Sequence, residues 1–124
     1  MKTILNTEKA PGAIGPYSQG ISTGSLIFVS GQLPLDPATG TFPEDIAGQT
    51  RQSLTNVKNI LESAGSGMDK VVKTTVFLSD MDNFAAMNEV YAQFFEQPYP
   101  ARSAVAVKTL PKGALVEVEC IAVK

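Results

Sequence analysis

Histidine is absent from this chain, tryptophan is missing as well, and cysteine occurs once, at Cys120. Without an imidazole, Ser-His-Asp and Cys-His catalysis, histidine metal sites and imidazole acid–base chemistry are all excluded. A single thiol allows no internal disulfide and leaves almost no ligands for a structural zinc. That fits a reducing compartment, and the cytoplasm is the expected location. No run approaches the ~20 apolar residues of a membrane span. Met1–Asn6 carries a positive charge but lacks the apolar stretch of a secretory signal. The ten lysines and arginines are scattered from Lys2 to Lys124 and are outnumbered by twelve acids, for a net charge of −2. No basic stripe is available to follow a phosphate backbone, so neither nucleic acid nor a membrane is an expected partner. Any catalysis must rest on Arg, Lys, Asp, Glu, Ser, Thr, Tyr, backbone groups and water.

What is present suits one globular domain spanning residues 1–124, with 44% hydrophobic and 18% charged residues. Ala10–Tyr17 is dense in Gly and Pro and reads as an ordered loop. Extended pieces at Ser18–Ser22 and Leu26–Ser30 flank a short Gly-containing link, the pattern of a hairpin. Ile46, Thr50, Leu54, Val57, Ile60, Leu61 and Ala64 form one apolar stripe at helical spacing. Pro43, Glu44 and Asp45 suit the first turn of that helix and Gly65 its stop. Val71–Leu78 is rich in β-branched residues and reads as a strand. Phe84–Phe95 predicts a second helix, capped by Asp80 or Asp82, with Phe84, Met87, Val90, Tyr91, Phe94 and Phe95 inward. Strands at Arg102–Lys108 and Leu115–Val123 close the chain.

The order β-β-α-β-α-β-β predicts an α+β fold, a single mixed β-sheet with two helices on one face. In the last strand Val116, Val118, Cys120 and Ala122 point one way. Leu115, Glu117, Glu119, Ile121 and Val123 point the other way, mixing acids with apolar groups. A largely apolar uncovered face predicts a partner subunit and hence a homo-oligomer.

Gly12, Gly15 and Gly20 match no phosphate-binding spacing, and Pro11 and Pro16 remove two of the N–H groups such a loop needs. Asp80–Asn83 lacks the downstream Gly and Glu of a calcium loop and reads as a helix cap. Cys120 reads as a small buried hydrophobe. Arg102 enters a strand of small and apolar neighbours after Pro98-Tyr99-Pro100-Ala101. It is either a rim ion pair or a planar, bidentate partner for a ligand carboxylate. Glu117, between Val116 and Val118, is either a solvated edge residue or, with Arg102, one of the two charged candidates for a functional site. If residues 110–114 close a hairpin pairing Lys108 with Leu115, Glu117 falls opposite Ala106, about 13 Å along the strand from Arg102.

Several separated motifs resemble one family. Pro100-Ala101-Arg102-Ser103-Ala104-Val105, Leu110-Pro111-Lys112 and Val116-Glu117-Val118-Glu119-Cys120-Ile121-Ala122 are similar to the C-terminal motif of the reactive intermediate deaminases (Rid, YjgF-like). Ala10-Pro11, Ile14-Gly15-Pro16-Tyr17-Ser18-Gln19-Gly20, Ser30-Gly31-Gln32, Val72–Phe77 and Asn88-Glu89-Val90-Tyr91 resemble the same family, in order and across essentially the whole chain. The resemblance implies a chorismate-mutase-like fold assembled as a homotrimer with sites between subunits. It implies a cofactor-free and metal-free deaminase that hydrolyses the small imino acids 2-iminopropanoate and 2-iminobutanoate, released by PLP-dependent dehydratases, to 2-oxo acids and ammonia. Carried over by motif, Arg102 would clamp the carboxylate and Glu117 would orient or deprotonate water. Tyr17, Ser30, Gly31, Asn88 and Ala104 would complete the substrate pocket. The family often has Cys where this chain has Ala104, a position that meets ligand through its backbone, so the chemistry survives while thiol-dependent properties do not carry over. The competing reading is a non-catalytic regulator that binds a small carboxylate and acts through a protein partner. An RNA-cleaving role, also attached to the family, lacks a basic stripe and a histidine acid here.

Overall fold

The apolar stripe beginning at Ile46 forms helix α1 (Ile46–Ser63), and its buried residues include Leu54, Val57, Ile60 and Leu61. In the computed structural model, which describes residues 1–124, α1 starts one turn later than the sequence predicts. Asp45 is the N-cap, its side chain accepting from Gly48 N at 2.9 Å, while Pro43 and Glu44 precede the helix. A carboxylate at that position satisfies an N–H that has no partner within the helix. At the other end Gly65 takes a positive φ of 78°. Gly65 N then donates to Glu62 O and Ser66 N to Leu61 O, both at 3.0 Å. This closes the helix as a Schellman turn, a conformation glycine adopts without a steric penalty.

The other elements are β1 (Thr3–Leu5), β2 (Gly20–Ser22), β3 (Leu26–Gln32), β4 (Val71–Leu78), α2 (Phe84–Tyr91), β5 (Ala101–Ala106) and β6 (Val116–Val123). They build one six-stranded sheet in the order β1-β2-β3-β6-β4-β5. All neighbours are antiparallel except β4 and β5, which are parallel and joined through α2. The predicted mixed sheet with two helices is therefore present. Strand β1 is an addition that the sequence pattern did not give.

Two further expectations need correction. Helix α2 ends at Tyr91 rather than Phe95, because the backbone tightens into bonds from Gln93 N to Val90 O and Phe94 N to Tyr91 O. That turn brings the Phe95 ring against Tyr91, with centroids 4.6 Å apart, so Phe95 is buried without being helical. Asp80 caps not α2 but the single turn Met81–Asn83, accepting from Asp82 N at 2.9 Å. Asp82 lies within that turn, and Asn83 precedes α2.

The core lies between the sheet and α1, where Ile27, Val29, Val76, Leu78, Val116, Val118, Cys120 and Ala122 meet Leu54, Val57, Ile60 and Leu61. Burying Cys120 pushes its thiol pKa up to about 12, with Glu119 adding to the rise, so it stays a neutral packing group. Polar side chains of α1 fasten the loops around this core. Asn56 Nδ2 donates to Leu33 O and Leu35 O, and Gln49 Oε1 accepts from Leu115 N. No helix is long and apolar enough to cross a membrane.

The reverse face of the sheet carries no element of the chain. Phe28, Val105 and Val123 are 41%, 45% and 40% exposed there, beside Lys73, Phe77, Ser103, Glu117, Glu119 and Ile121.

Candidate functional site

Strand register decides where the candidate residues lie. Arg102 pairs with Thr74, and Thr74 with Cys120 on the next strand, both of them buried toward the helices. Directly paired residues share a sheet face, so the Arg102 side chain is on the helix side. Glu117 pairs with Phe77, three residues further along β4. An odd step puts it on the uncovered side. Residues 110–114 do not close a β5–β6 hairpin, because β4 lies between the two strands. Two strand spacings across and three residues along separate the Arg102 and Glu117 backbones by about 14 Å. More decisively, the sheet itself stands between the two side chains.

The cationic half sits at the β5 edge. Arg102 Nη1 donates to Asn88 Oδ1 at 2.6 Å. Its guanidinium carbon lies 4.7 Å from the centre of the Tyr91 ring and 5.4 Å from that of Phe84. Ala104 follows on the same face, paired with Val76 and packed against the core. Phe84, Asn88 and Tyr91 stand at i, i+4 and i+7 on α2, which is why one helical face delivers all three to the arginine. A guanidinium has five N–H donors, so those left by Asn88 and the two uncharged rings can meet a carboxylate as a fork.

The acidic half sits on the uncovered face. Between Val29 and Gln32 strand β3 carries one more residue than its partner β6, since Val29 pairs with Cys120 and Gln32 with Val118. This bulge turns Ser30 and Gly31 out of the regular ladder. A Cβ on Gly31 would collide with Glu117 Oε2 and come 2.9 Å from Glu117 Cδ, so any larger residue there makes the carboxylate swing aside. Ser30 Oγ donates to Ser18 O at 2.6 Å, tying β3 to the Pro16–Ser18 loop. That loop is held by buried Gln19, whose Nε2 donates to Thr7 O, Ala10 O and Pro11 O and whose Oε1 accepts from Thr7 N. Tyr17 is half exposed between two hollows. One, of about 70 Å³, is shared with Gly31 and Lys112, and the other, of about 470 Å³, with Ser30, Phe28 and Glu119. Burial raises the Glu117 pKa above the usual carboxylate range, and the nearby charge of Glu119 raises it further.

The chain thus gathers Tyr17, Ser30, Gly31 and Glu117 in one place and Asn88, Arg102 and Ala104 in another, on opposite faces of the sheet. A cleft of about 390 Å³ between Met68–Val71 and Gln93–Pro100 touches none of them. No group of three or more His, Cys, Asp or Glu side chains is placed to hold a metal.

The family described as Endoribonuclease L-PSP matches residues 7–124. The chain belongs to this family, the YjgF/Rid proteins. It is 50% identical to the 2-iminobutanoate/2-iminopropanoate deaminase of Salmonella typhimurium, over 100% of this chain and 99% of that protein. It is 54% identical to a RutC family protein of Pyrococcus horikoshii, again over 100% and 99%. Among solved structures, Escherichia coli TdcF with bound serine matches with a TM-score of 0.94 and 48% identity, covering 98% of both chains. The relatives named as deaminases support an enzyme that acts on imine intermediates.

Sequence reasoning passed over Phe84 and Tyr91 as partners of Arg102 and filed both as core. Their spacing around Asn88 was the available signal. It also passed over the steric reason for Gly31, which no local pattern encodes because Glu117 is so far away in the chain.

Proposed function

We propose that the chain is a cofactor-free 2-iminobutanoate/2-iminopropanoate deaminase whose working site forms only on assembly, as a homotrimer in the cytoplasm. The observation that carries this reading is the separation of the two halves by the sheet. One substrate cannot touch both within one chain, and the uncovered face with its exposed Phe28, Val105 and Val123 is where a second copy docks.

In such a cleft Arg102 of one subunit takes the substrate carboxylate as a bidentate pair, oriented by Asn88. Glu117 of the neighbour, with Tyr17, Ser30 and Gly31 around it, receives a proton from water as the water oxygen adds to C2 of the N-protonated imine and the C=N electron pair moves onto nitrogen. The new C–O bond gives a tetrahedral amino alcohol. Glu117 returns that proton to nitrogen, then takes the hydroxyl proton as the C=O bond forms and the C–N bond breaks, so that ammonia leaves a 2-oxo acid. Imines hydrolyse in water unaided, so positioning and a carboxylate base with a raised pKa are sufficient. The demand on the protein is geometric, which suits a chain without histidine.

The test is subunit mixing. Arg102→Gln and Glu117→Gln are each purified, unfolded and refolded together, then coupled to a threonine dehydratase while 2-oxobutanoate release is followed. Each variant alone should be nearly inactive. An equal mixture should recover about one quarter of wild-type turnover, since each site draws its intact arginine half the time and its intact glutamate half the time. No recovery in mixed trimers would overturn the shared site. A wild type that binds 2-oxobutanoate yet never accelerates imine loss would make the protein a carboxylate-binding regulator instead.

A further inference from the structure

The contacts of Arg102 assign a role to a residue outside the family motif's substrate-touching set. We propose that Tyr91, anchored by Thr74, is a positioning residue that presets the Arg102 guanidinium for a ligand carboxylate. This inference rests on the carboxylate-clamp reading of Arg102.

The geometry is a closed triangle. Thr74 is the cross-strand partner of Arg102 on β4. Its Oγ1 and the Tyr91 hydroxyl lie 2.7 Å apart in a hydrogen bond, in a place where Thr74 is 1% and Tyr91 6% exposed. The Tyr91 ring, fixed at its hydroxyl end, lies against the guanidinium at 4.7 Å, and its other neighbour Phe95 packs at 4.6 Å. The residue opposite Arg102 in the sheet therefore determines where the ring sits, and the ring determines the plane in which the fork is presented. Asn88 fixes one nitrogen but leaves rotation about that bond free, and a ring face removes that freedom. An arginine side chain is otherwise rich in rotamers, so holding it before the ligand arrives lowers the ordering cost of binding.

The chemistry of Tyr91 suits this role and no proton-transfer role. Burial keeps its phenol neutral, outweighing the Thr74 hydrogen bond and the Arg102 charge that act the other way. A phenolate there would itself pair with the guanidinium and compete with the substrate. A neutral ring steadies the cation while leaving its charge unsatisfied.

The experiment measures binding of 2-oxobutanoate by calorimetry, and KM and kcat in the dehydratase-coupled assay, on the intact protein. Tyr91→Leu, which removes the ring face, should raise Kd and KM about tenfold with kcat changed far less. Tyr91→Phe keeps the face and loses the anchor, and Thr74→Val loses the same hydrogen bond from the other side. Both should raise Kd by about two- to threefold, and to the same extent. In an Arg102→Gln background, Tyr91→Phe and Tyr91→Leu should have no further effect on Kd, because nothing remains to be positioned.

Should Tyr91→Leu fail to fold, Tyr91→Phe and Thr74→Val carry the same test. Wild-type Kd and KM in the Tyr91 and Thr74 variants, with Arg102→Gln impaired, would overturn this proposal alone. Losses that persist unchanged in the Arg102→Gln background would do the same, since they would mark a general packing defect. A wild-type Kd in Arg102→Gln itself would overturn the carboxylate clamp and this inference with it.

Discussion

The two halves of the candidate site are organised by opposite means. Around Arg102 the chain adds contacts: an amide oxygen at 2.6 Å, a ring at 4.7 Å and a second ring at 5.4 Å. Around Glu117 it removes matter instead, placing a glycine where any side chain would strike the carboxylate. A cation that must grip a ligand benefits from being held in one orientation before the ligand arrives. A carboxylate that must exchange a proton benefits from partial desolvation and few competing donors, which keep it basic. On the function proposed here the difference separates a binding half from a chemical half, and substitutions should divide along that line.

The largest effect is expected where the acidic half has least room. Gly31→Ala adds one methyl group, yet it must evict the Glu117 carboxylate or deform the β3 bulge. Turnover should fall about 10²- to 10⁴-fold, the range for loss of a general base. The Kd for 2-oxobutanoate should move much less, because Arg102 is untouched. The check is turnover and calorimetry on the same sample, with light scattering confirming that assembly is unchanged. A variant that keeps wild-type turnover would break the comparison, since the glycine would then not be reserved for the carboxylate.

A smaller effect of the opposite kind belongs to Arg102→Lys. Lysine keeps the charge but offers a point in place of a fork and gives up the flat stacking on Tyr91 and Phe84. We expect KM and the Kd for 2-oxobutanoate to rise about ten- to a hundredfold, matching the loss of charge-assisted hydrogen bonds, with a lesser fall in kcat. A change confined to kcat would assign Arg102 to the chemical half instead.

How much of this was legible in the sequence depends on whether the information was local. The α1 stripe, the Gly65 stop and the alternation that buries Val116, Val118, Cys120 and Ala122 are encoded within a few residues of one another, and the structure follows them. Strand order is not local. Nothing in residues 101–123 announces that β4 inserts between β5 and β6, so from the sequence the pairing of these strands stays open. The three-residue strand β1 is too short for alternation to register. Arg102 and Glu117 stand out from their strand neighbours, the other candidate site residues rest on motif resemblance, and their division between two faces follows from odd and even positions only after the register with Thr74 and Phe77 is known. Phe84 and Tyr91 were disguised by their own hydrophobicity, since a residue that both packs a core and faces a cation looks like any other core residue in sequence.

The smallest effect, a shift in stability rather than the loss of turnover expected above, is that of Glu117→Gln with pH. Partial burial, followed by the charge of Glu119, holds the folded-state pKa of Glu117 above its unfolded value. The folded chain therefore binds this proton more tightly than the unfolded chain does. Its contribution to stability is fully present below the unfolded pKa and is lost as pH rises through the folded pKa. At neutral pH the ionised carboxylate is a net burden on the fold, which Gln removes while keeping the size of the side chain. The denaturation midpoint of Glu117→Gln should exceed that of the wild type at neutral pH, and the gap should close as pH falls into the range where the wild-type carboxyl is protonated. Turnover of the wild type should rise with pH along a limb set by the same raised pKa, and the variant should lack that limb. A midpoint gap that is independent of pH would show that Gln acts through packing. A wild-type limb at the ordinary carboxylate pKa would show that the desolvation ascribed to Glu117 is not felt in the assembled protein, and the chemical half would then lose the basicity that sets it apart from the binding half.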